Sequence, residues 1–538
     1  MHLLSSRFVI SRVAALGLCW GFLGLSLPAL GQNTVPRDPE ILRLAELETP
    51  RVLASLQELT RHDTGTGQAE GMLRVVEWIE QFGHQLNARS ERISPQGNVV
   101  GPNVALVFKG QGQKKLLLIA HMDTVYPAGT AAAKGFRIEG SRAIAPGIAD
   151  DKGGIALFLH AMKLLQQRGF KDYGQITLLF TSDEERGSLG SRDLIRQRAE
   201  QHDVVLSGEP TGDQEGIVLG TSGVAGLSVR MASSGFGVSE ASRPLEALAD
   251  MLLRTRDVAT QVPETRLNWT VVKAEDRRRL DRMPSPDMTV VFSILGKASH
   301  AGVNPHLGVN ALIESADLIR RVGEALRPNA DLAWHWRSWQ GGIVTNIIPN
   351  ESTVVMELSV GTQERRADLQ KTIADAAAQR WLAGARVQVE FKEGPFQGPS
   401  VAPGVFASAD IRVPDAKAYE LLVQKTREGL DAKKFTTASV QVQSGLGFPA
   451  YNATAEGRQL AALAQSIDAD LGGRMVLFPR TYGGTDAAWA SQSGKPVIES
   501  LGLPGANYHS SDEEFVWIDR IPRRLALVAE LIRALALR

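Results

Sequence analysis

The stretch Thr177–Gly190, TLLFTSDEERGSLG, runs from an apolar segment straight into three consecutive acids, Asp183, Glu184 and Glu185. It reads as a buried strand that breaks into a loop, with the acids at the junction. Carboxylates crowded this closely repel one another unless water or cations neutralise them. Taken alone, the stretch is either a solvated acidic turn or one side of a cation site.

Outward from it, the pattern repeats. LLLIA precedes His121, GIALFLHAMKLLQQ follows Lys152, and QITLLF leads into the acids. Strands alternating with helices argue for an α/β sheet with helices on both faces. The same character returns after Gly457 with RQLAALAQSI, KPVIESL and the closing RRLALVAELIRALALR, so residues from roughly Thr221 to Asn452 read as an insertion between two halves of one sheet. The insertion repeats itself. ALADMLLR (247–254) resembles ESADLIRR (314–321), and Trp269 precedes Trp336 by 67 residues. TVV occurs at 289 and 353, and ARVQVE (385–390) resembles ASVQVQ (438–443) at an offset of 53. The order suggests a β-α-β/β-α-β module present twice, the second copy nested in the first, against the plainer reading of shared helix composition.

At 538 residues the chain exceeds one usual domain, and 43% apolar with 22% charged residues describes an ordinary globular protein. Balanced charge, 59 basic against 59 acidic residues, implies no polyanionic partner, so nucleic acid is not expected. Arg7 and Arg12 precede an apolar run to about Leu27, and Ala29 and Gly31 follow as small residues. This reads as a cleaved secretory signal over residues 1–31, with an uncleaved anchor as the alternative, and places the mature chain in the periplasm or outside the cell. Cys19, the single cysteine, lies in that run, so any metal must be held by His, Asp and Glu.

Five stretches carry such groups where apolar runs end: LLLIAHMDTV with His121 and Asp123, APGIADDKGG with Asp150 and Asp151, LLFTSDEERG with Glu184 and Glu185, DVVLSGEPTG with Glu209, and LPGANYHSSDEE with His509. Asp123 lies two residues beyond His121, on the same strand face, where it can hold the imidazole from behind. Each stretch alone is ordinary. Together they place two imidazoles and several carboxylates at one sheet edge, where open α/β folds bind ligands.

In order, spacing and neighbours these motifs resemble the zinc metallopeptidase and deacylase superfamily of glutamate carboxypeptidase, aminoacylase and succinyl-diaminopimelate desuccinylase. The likeness is greatest to the glutamate carboxypeptidase branch and continues through GKASHAG, TNIIP, GGTDAA and GLPGANYHS. The resemblance implies two zinc ions, with Asp150 bridging, His121 and Glu209 completing one site, and Glu185 and His509 the other. Glu184 is then the general base; in the family the peptide that corresponds to Asp150–Asp151 is commonly cis, an isomer the sequence itself leaves open. It implies a smaller lid domain in which His300 stabilises the oxyanion and Asn346 touches substrate. Arg412, in ADIRVPD, falls where the family binds a substrate carboxylate, and the 53-residue offset gives Ser359 as its inner counterpart. The loop Gly483–Asp486, with Gly484 and Thr485, is either a tight turn or a set of backbone amides facing a substrate carboxylate.

The outer copy reads MASSGFGVSEAS and DRMPSPD where GKASHAG and TNIIPNE would stand, so only the inner copy keeps His300 and Asn346. A chain that supplies its own second lid is expected to be a monomer. Phe448 stands where glutamate-specific relatives carry arginine, which leaves glutamate preference open. The expected partition is catalytic domain 32–220 and 453–538, outer lid module 221–287 and 401–452, and inner lid module 288–400. The expected activity is a metallo-exopeptidase cutting a peptide or N-acyl amide bond beside a free carboxylate in a small peptide or N-acyl amino acid. The alternatives are an N-acyl-amino-acid deacylase or a non-catalytic binding protein of the same fold.

Overall fold

The computed structural model describes residues 36–231, 244–276, 284–302, 304–399, 404–431 and 440–538. The leader at 1–31, and all but the first residue of the outer-copy segment MASSGFGVSEAS, lie outside these residues. Among those described, no helix is long and apolar enough to cross a membrane.

The chain first lays down helix α1 (Pro39–Thr60) and strands β1 (Arg89–Ile93), β2 (Asn103–Lys109) and β3 (Lys115–His121). Helix α2 (Lys152–Gln167), strand β4 (Gln175–Thr181), helix α3 (Arg192–Glu200) and strand β5 (Val204–Ser207) follow. β3 and β4 are buried along nearly their whole length, as strands covered on both faces must be. The chain then leaves this sheet, and its next strand there begins only at Val497.

The excursion is one eight-stranded antiparallel sheet. Its outer strands are β6 (Gly223–Met231) and β7 (Arg266–Glu275), joined by α4 (Pro244–Thr260). The inner strands follow: β8 (Met288–Leu295), α5 (Ala311–Leu326), β9 (Ala333–Gly341), β10 (Glu351–Ser359), α6 (Gln363–Ala378) and β11 (Arg386–Glu393). The outer set closes with β12 (Gly404–Val413), α7 (Ala416–Asp431) and β13 (Val440–Phe448). The strand order is β11-β8-β10-β9-β7-β12-β6-β13. Each half has the order fourth, first, third, second, and the halves meet through their second strands, β9 and β7.

Both second strands carry a register shift just after a buried tryptophan: between Trp269 and Val271 in β7, and between Trp336 and Ser338 in β9. The spacing is again 67 residues, so the bulge belongs to the repeat. The repeated helix stretches fall in α4 and α5, and ARVQVE and ASVQVQ lead into the two fourth strands. The TVV pair does not correspond: residue 289 lies in the first inner strand and residue 353 in the third.

The chain finally returns to the first sheet with α8 (Asp486–Ser491), strand β14 (Val497–Ile498) and α9 (Ile521–Ala536). That sheet has the order β1-β2-β4-β3-β5-β14, with β3, β4, β5 and β14 parallel. Leu117 and Ile119 of β3 share a buried cluster with Ile195 and Ala199 of α3 and Ala487 and Ala488 of α8. α1, α2 and α9 pack together, with α2 and α9 against β3. Helices therefore cover both faces, and the functional groups are left to the sheet's edge.

Candidate metal centre and active site

Parallel pairing brings the strand ends level. His121, the last residue of β3, pairs with Thr181, the last of β4, and Ile119 pairs with Ser207, the last of β5. Asp183–Glu185 and Glu209 therefore emerge beside His121. Asp150 sits at the entry to α2, and its peptide to Asp151 is cis. His509 comes from a loop and holds a left-handed backbone, φ 64°.

Asp150 lies between the two imidazoles. Its Oδ1 is 3.0 Å from His121 Nε2 and its Oδ2 is 3.3 Å from His509 Nε2. Glu209 Oε1 lies 3.6 Å from His121 Nε2, and Glu185 Oε1 lies 3.5 Å from His509 Nε2. Glu184 Oε2 is 4.0 Å from His121 Nε2. Two groups result, each with ligand atoms within 4.8 Å of one another: His121, Glu184 and Glu209, and Asp150, Glu185 and His509.

The electrostatics follow from burial. Desolvation pushes Glu184, Glu185 and Glu209 above the usual carboxylate range, and acidic neighbours add to it. Burial acts the same way on Asp150, but hydrogen bonds from His121 and His509 outweigh it and hold that carboxyl low. Burial alone would lower His509, yet Asp150 and Glu185 raise it to about 11. Glu185 Oε1 is buried with no hydrogen-bond donor. Imidazole nitrogens and carboxylate oxygens in two tight groups, one of them holding an orphaned carboxylate oxygen, form a donor set that suits divalent metal ions.

Positioning groups stand behind the ligands. Asp123 Oδ1 accepts from Glu184 N at 3.0 Å, and its Oδ2 accepts from Glu185 N at 3.1 Å and from Thr66 Oγ1 at 2.7 Å. The Asp123 backbone carbonyl accepts from His121 Nδ1 at 2.9 Å, which leaves Nε2 free to face the cluster. Asp151 caps α2 through Gly154 N and accepts from His121 N. Glu514 accepts from Ala149 N, Asp150 N and Gly147 N, each at 3.0 Å, and from Tyr126 Oη at 2.6 Å. It thereby shapes the whole loop that presents Asp150.

The segment after β8, in the inner half of the eight-stranded sheet, reaches this centre from within the same chain. The His300 ring lies 6.3 Å from the His509 ring. Burial, with Arg412 and His509 nearby, depresses His300 to about 4, so it is neutral at pH 7. Asn346 is exposed on the facing turn, and its carbonyl accepts from Ala301 N at 2.8 Å. Arg412 is buried rather than a surface ion-pair partner. Its Nε and Nη2 form a bidentate pair with Asp410, both at 2.9 Å, and Nη1 donates to Tyr482 O at 3.1 Å. Two of its five N–H groups remain for another acceptor. Ser359, the inner counterpart, donates to Pro284 O at 2.9 Å and has Ser285 O at 3.4 Å as a second acceptor. Gly484 lies so close to Val224 and Phe448 that a Cβ there would meet them at 2.7 and 2.9 Å. Thr485 Oγ1 is buried beside it without a partner, and the neighbouring Asp486 accepts from Thr181 and Ser188.

A profile of peptidase family M20/M25/M40 matches residues 117–534, which hold the whole eight-stranded sheet, the first sheet from within β3 onward, and every residue of the cluster. The chain belongs to that family. Carboxypeptidase G2 of Pseudomonas sp. (strain RS-16) is 36% identical over 498 residues, 92% of either chain. Two solved structures share the fold at 15% identity. The M20 family metallo-carboxypeptidase Sso-CP2 from Sulfolobus solfataricus has a TM-score of 0.53, with 90% of this chain and 99% of that one aligned. The aminoacylhistidine dipeptidase from Vibrio alginolyticus has a TM-score of 0.54, with 90% and 96% aligned. The protein is accordingly a metallopeptidase, a hydrolase of mixed α/β fold.

Some residues of this M20 peptidase escaped the sequence reading. Glu514 stands in the very stretch that yields His509, SSDEE, but nothing there marks one acid as facing a loop more than 360 residues earlier. Asp410 was more accessible, since it precedes Arg412 by two residues and so shares its strand face.

Proposed function

We propose that this peptidase holds two zinc ions, with Asp150 shared, His121 and Glu209 on one and Glu185 and His509 on the other. It hydrolyses a peptide or N-acyl amide bond next to a free carboxylate. Bound there, divalent ions would supply Lewis acidity and lower the pKa of a water molecule. Glu184 takes a proton from the attacking water as the water oxygen bonds to the scissile carbonyl carbon, and returns it to the nitrogen as the C–N bond breaks. His300, neutral, donates from Nε2 to the oxygen on which negative charge develops. Asp123 fixes the backbone of Glu184 and Glu185. Arg412, through its two uncommitted N–H groups, and the amides around Gly484 and Thr485 receive the substrate carboxylate, with Asn346 closing over it.

The observation that carries this reading is the placement of Asp150, one oxygen against each imidazole. Glu184 Oε2 stands 4.0 Å from His121 Nε2, in the same group as Glu209, and is assigned to proton transfer rather than to an ion. Glu184→Ala is expected to lower kcat by about 10²- to 10⁴-fold with two ions per chain retained. Near-normal turnover in that variant would overturn the assignment.

The chain partition is part of the same proposal: a catalytic domain of 32–220 and 453–538, an outer module of 221–287 and 401–452, and an inner module of 288–400. Because the inner module brings His300 to the centre of its own chain, the enzyme works as a monomer. It acts outside the cytoplasm after loss of residues 1–31. A simple N-acyl-amino-acid deacylase would use the same groups, and a panel of dipeptides against N-acyl amino acids separates the two.

A further inference from the structure

His300 lies in the inner half of the lid, but the loop that carries it is fastened from the outer half. Asn268 Nδ2 donates to Ala301 O at 2.8 Å, and Arg266 Nη1 donates to Gly302 O at 2.6 Å. Both side chains come from β7, two residues apart and so on one face. A Cβ on Gly302 would lie 2.3 Å from Arg412 Nε, so only glycine lets β12 press against the loop here.

The first of these bonds continues. Ala301 O and Gly302 N belong to one planar peptide group. That same Gly302 N–H donates to His300 Nδ1 at 3.1 Å. The relay runs from Asn268 Nδ2–H to Ala301 O, across the peptide, and from Gly302 N–H to the imidazole. A donor on the carbonyl polarises the peptide and strengthens its N–H as a donor. An imidazole that accepts at Nδ1 carries its proton on Nε2.

We propose that Asn268 is a positioning residue for His300, acting through the Ala301–Gly302 peptide to hold the ring in its Nε2–H tautomer. This rests on the reading of His300 as the oxyanion donor. It gives the two lid halves separate tasks, the inner carrying the donor and the outer fixing its proton. Mere docking of the halves would need the bond to Ala301 O but would not depend on which nitrogen of His300 is protonated.

The test uses the full-length, metal-loaded enzyme labelled with ¹⁵N-histidine, the His300 signals being identified by their loss in His300→Ala. The wild type is expected to show the Nε2–H tautomer. Asn268→Asp, which sets an acceptor against Ala301 O, and Asn268→Ser are expected to shift the ring toward the other tautomer. Each should lower kcat by about tenfold or more, with KM changed less than about twofold. In a His300→Ala background the same substitutions should change kcat by less than about twofold. An Nδ1–H tautomer in the wild type, an unaltered tautomer in both variants, or an equal loss with and without His300 would overturn the proposal. Full turnover in His300→Ala would instead remove the reading of His300 itself, while the tautomer measurement would still judge the link to Asn268.

Discussion

Asp123 touches neither substrate nor ion in this account, yet three donors converge on its carboxylate, two of them the backbones of Glu184 and Glu185. Asparagine there would set an N–H₂ group against one of those N–H groups. Asp123→Asn is therefore expected to lower kcat about 10- to 100-fold in a folded protein, checked by steady-state kinetics beside circular dichroism. Phe448 governs a different property. Its ring packs on Gly484 and lies 6.2 Å from that of Trp489, which makes an apolar wall beside the Gly484–Thr485 loop. Substrates ending in an apolar residue are expected to exceed those ending in glutamate by about tenfold in kcat/KM, and Phe448→Arg to narrow or invert that ratio. The ligands were legible because each is a chemically distinctive side chain at the end of an apolar run. Glu514 and Asn268 were not, because they act through backbone groups of distant segments, and sequence spacing carries no trace of such contacts.

At the scale of elements, α1 and α2 are joined by a buried cluster. Glu48 of α1 accepts from His160 Nδ1 at 2.8 Å and from Lys163 Nζ at 2.5 Å, and His160 Nε2 meets Ser55 Oγ at 2.9 Å. Burial would raise Glu48, but the bonds from His160 and Lys163 outweigh it and hold the carboxyl at about 2 against an ordinary 4.5. The folded-state value lies below the unfolded one, so the stabilisation is complete above the unfolded value and is lost as pH falls from about 4.5 toward about 2. Glu48→Gln is expected to lower Tm by several degrees at pH 7, with the gap to wild type closing as the pH approaches 3. A gap independent of pH would refute this origin. Periodicity revealed the helices and the repeat because both follow from which faces are buried. The shared bulge after Trp269 and Trp336 was invisible, since an extra residue in a strand shows only against its partner.

For the molecule as a whole, the two repeated halves form one sheet through β7 and β9, and the inner half reaches the centre of its own chain. The enzyme is expected to sediment as a monomer at nanomolar concentration with undiminished specific activity, whereas a dimer with sites completed across its interface would contradict the nested-lid reading. The α/β sheet could be read from alternating strands and helices. The joining of the two lid halves into one sheet could not, because pairing between β7 and β9 depends on geometry far apart in the chain. The most direct test of the central claim is metal content measured together with hydrolysis on the purified enzyme, its chelated form, and the Glu185→Ala and His509→Ala variants. Two divalent ions per chain are expected, about one in each variant, with activity that chelation abolishes and zinc restores. Unchanged hydrolysis after every ion has been removed would contradict that claim.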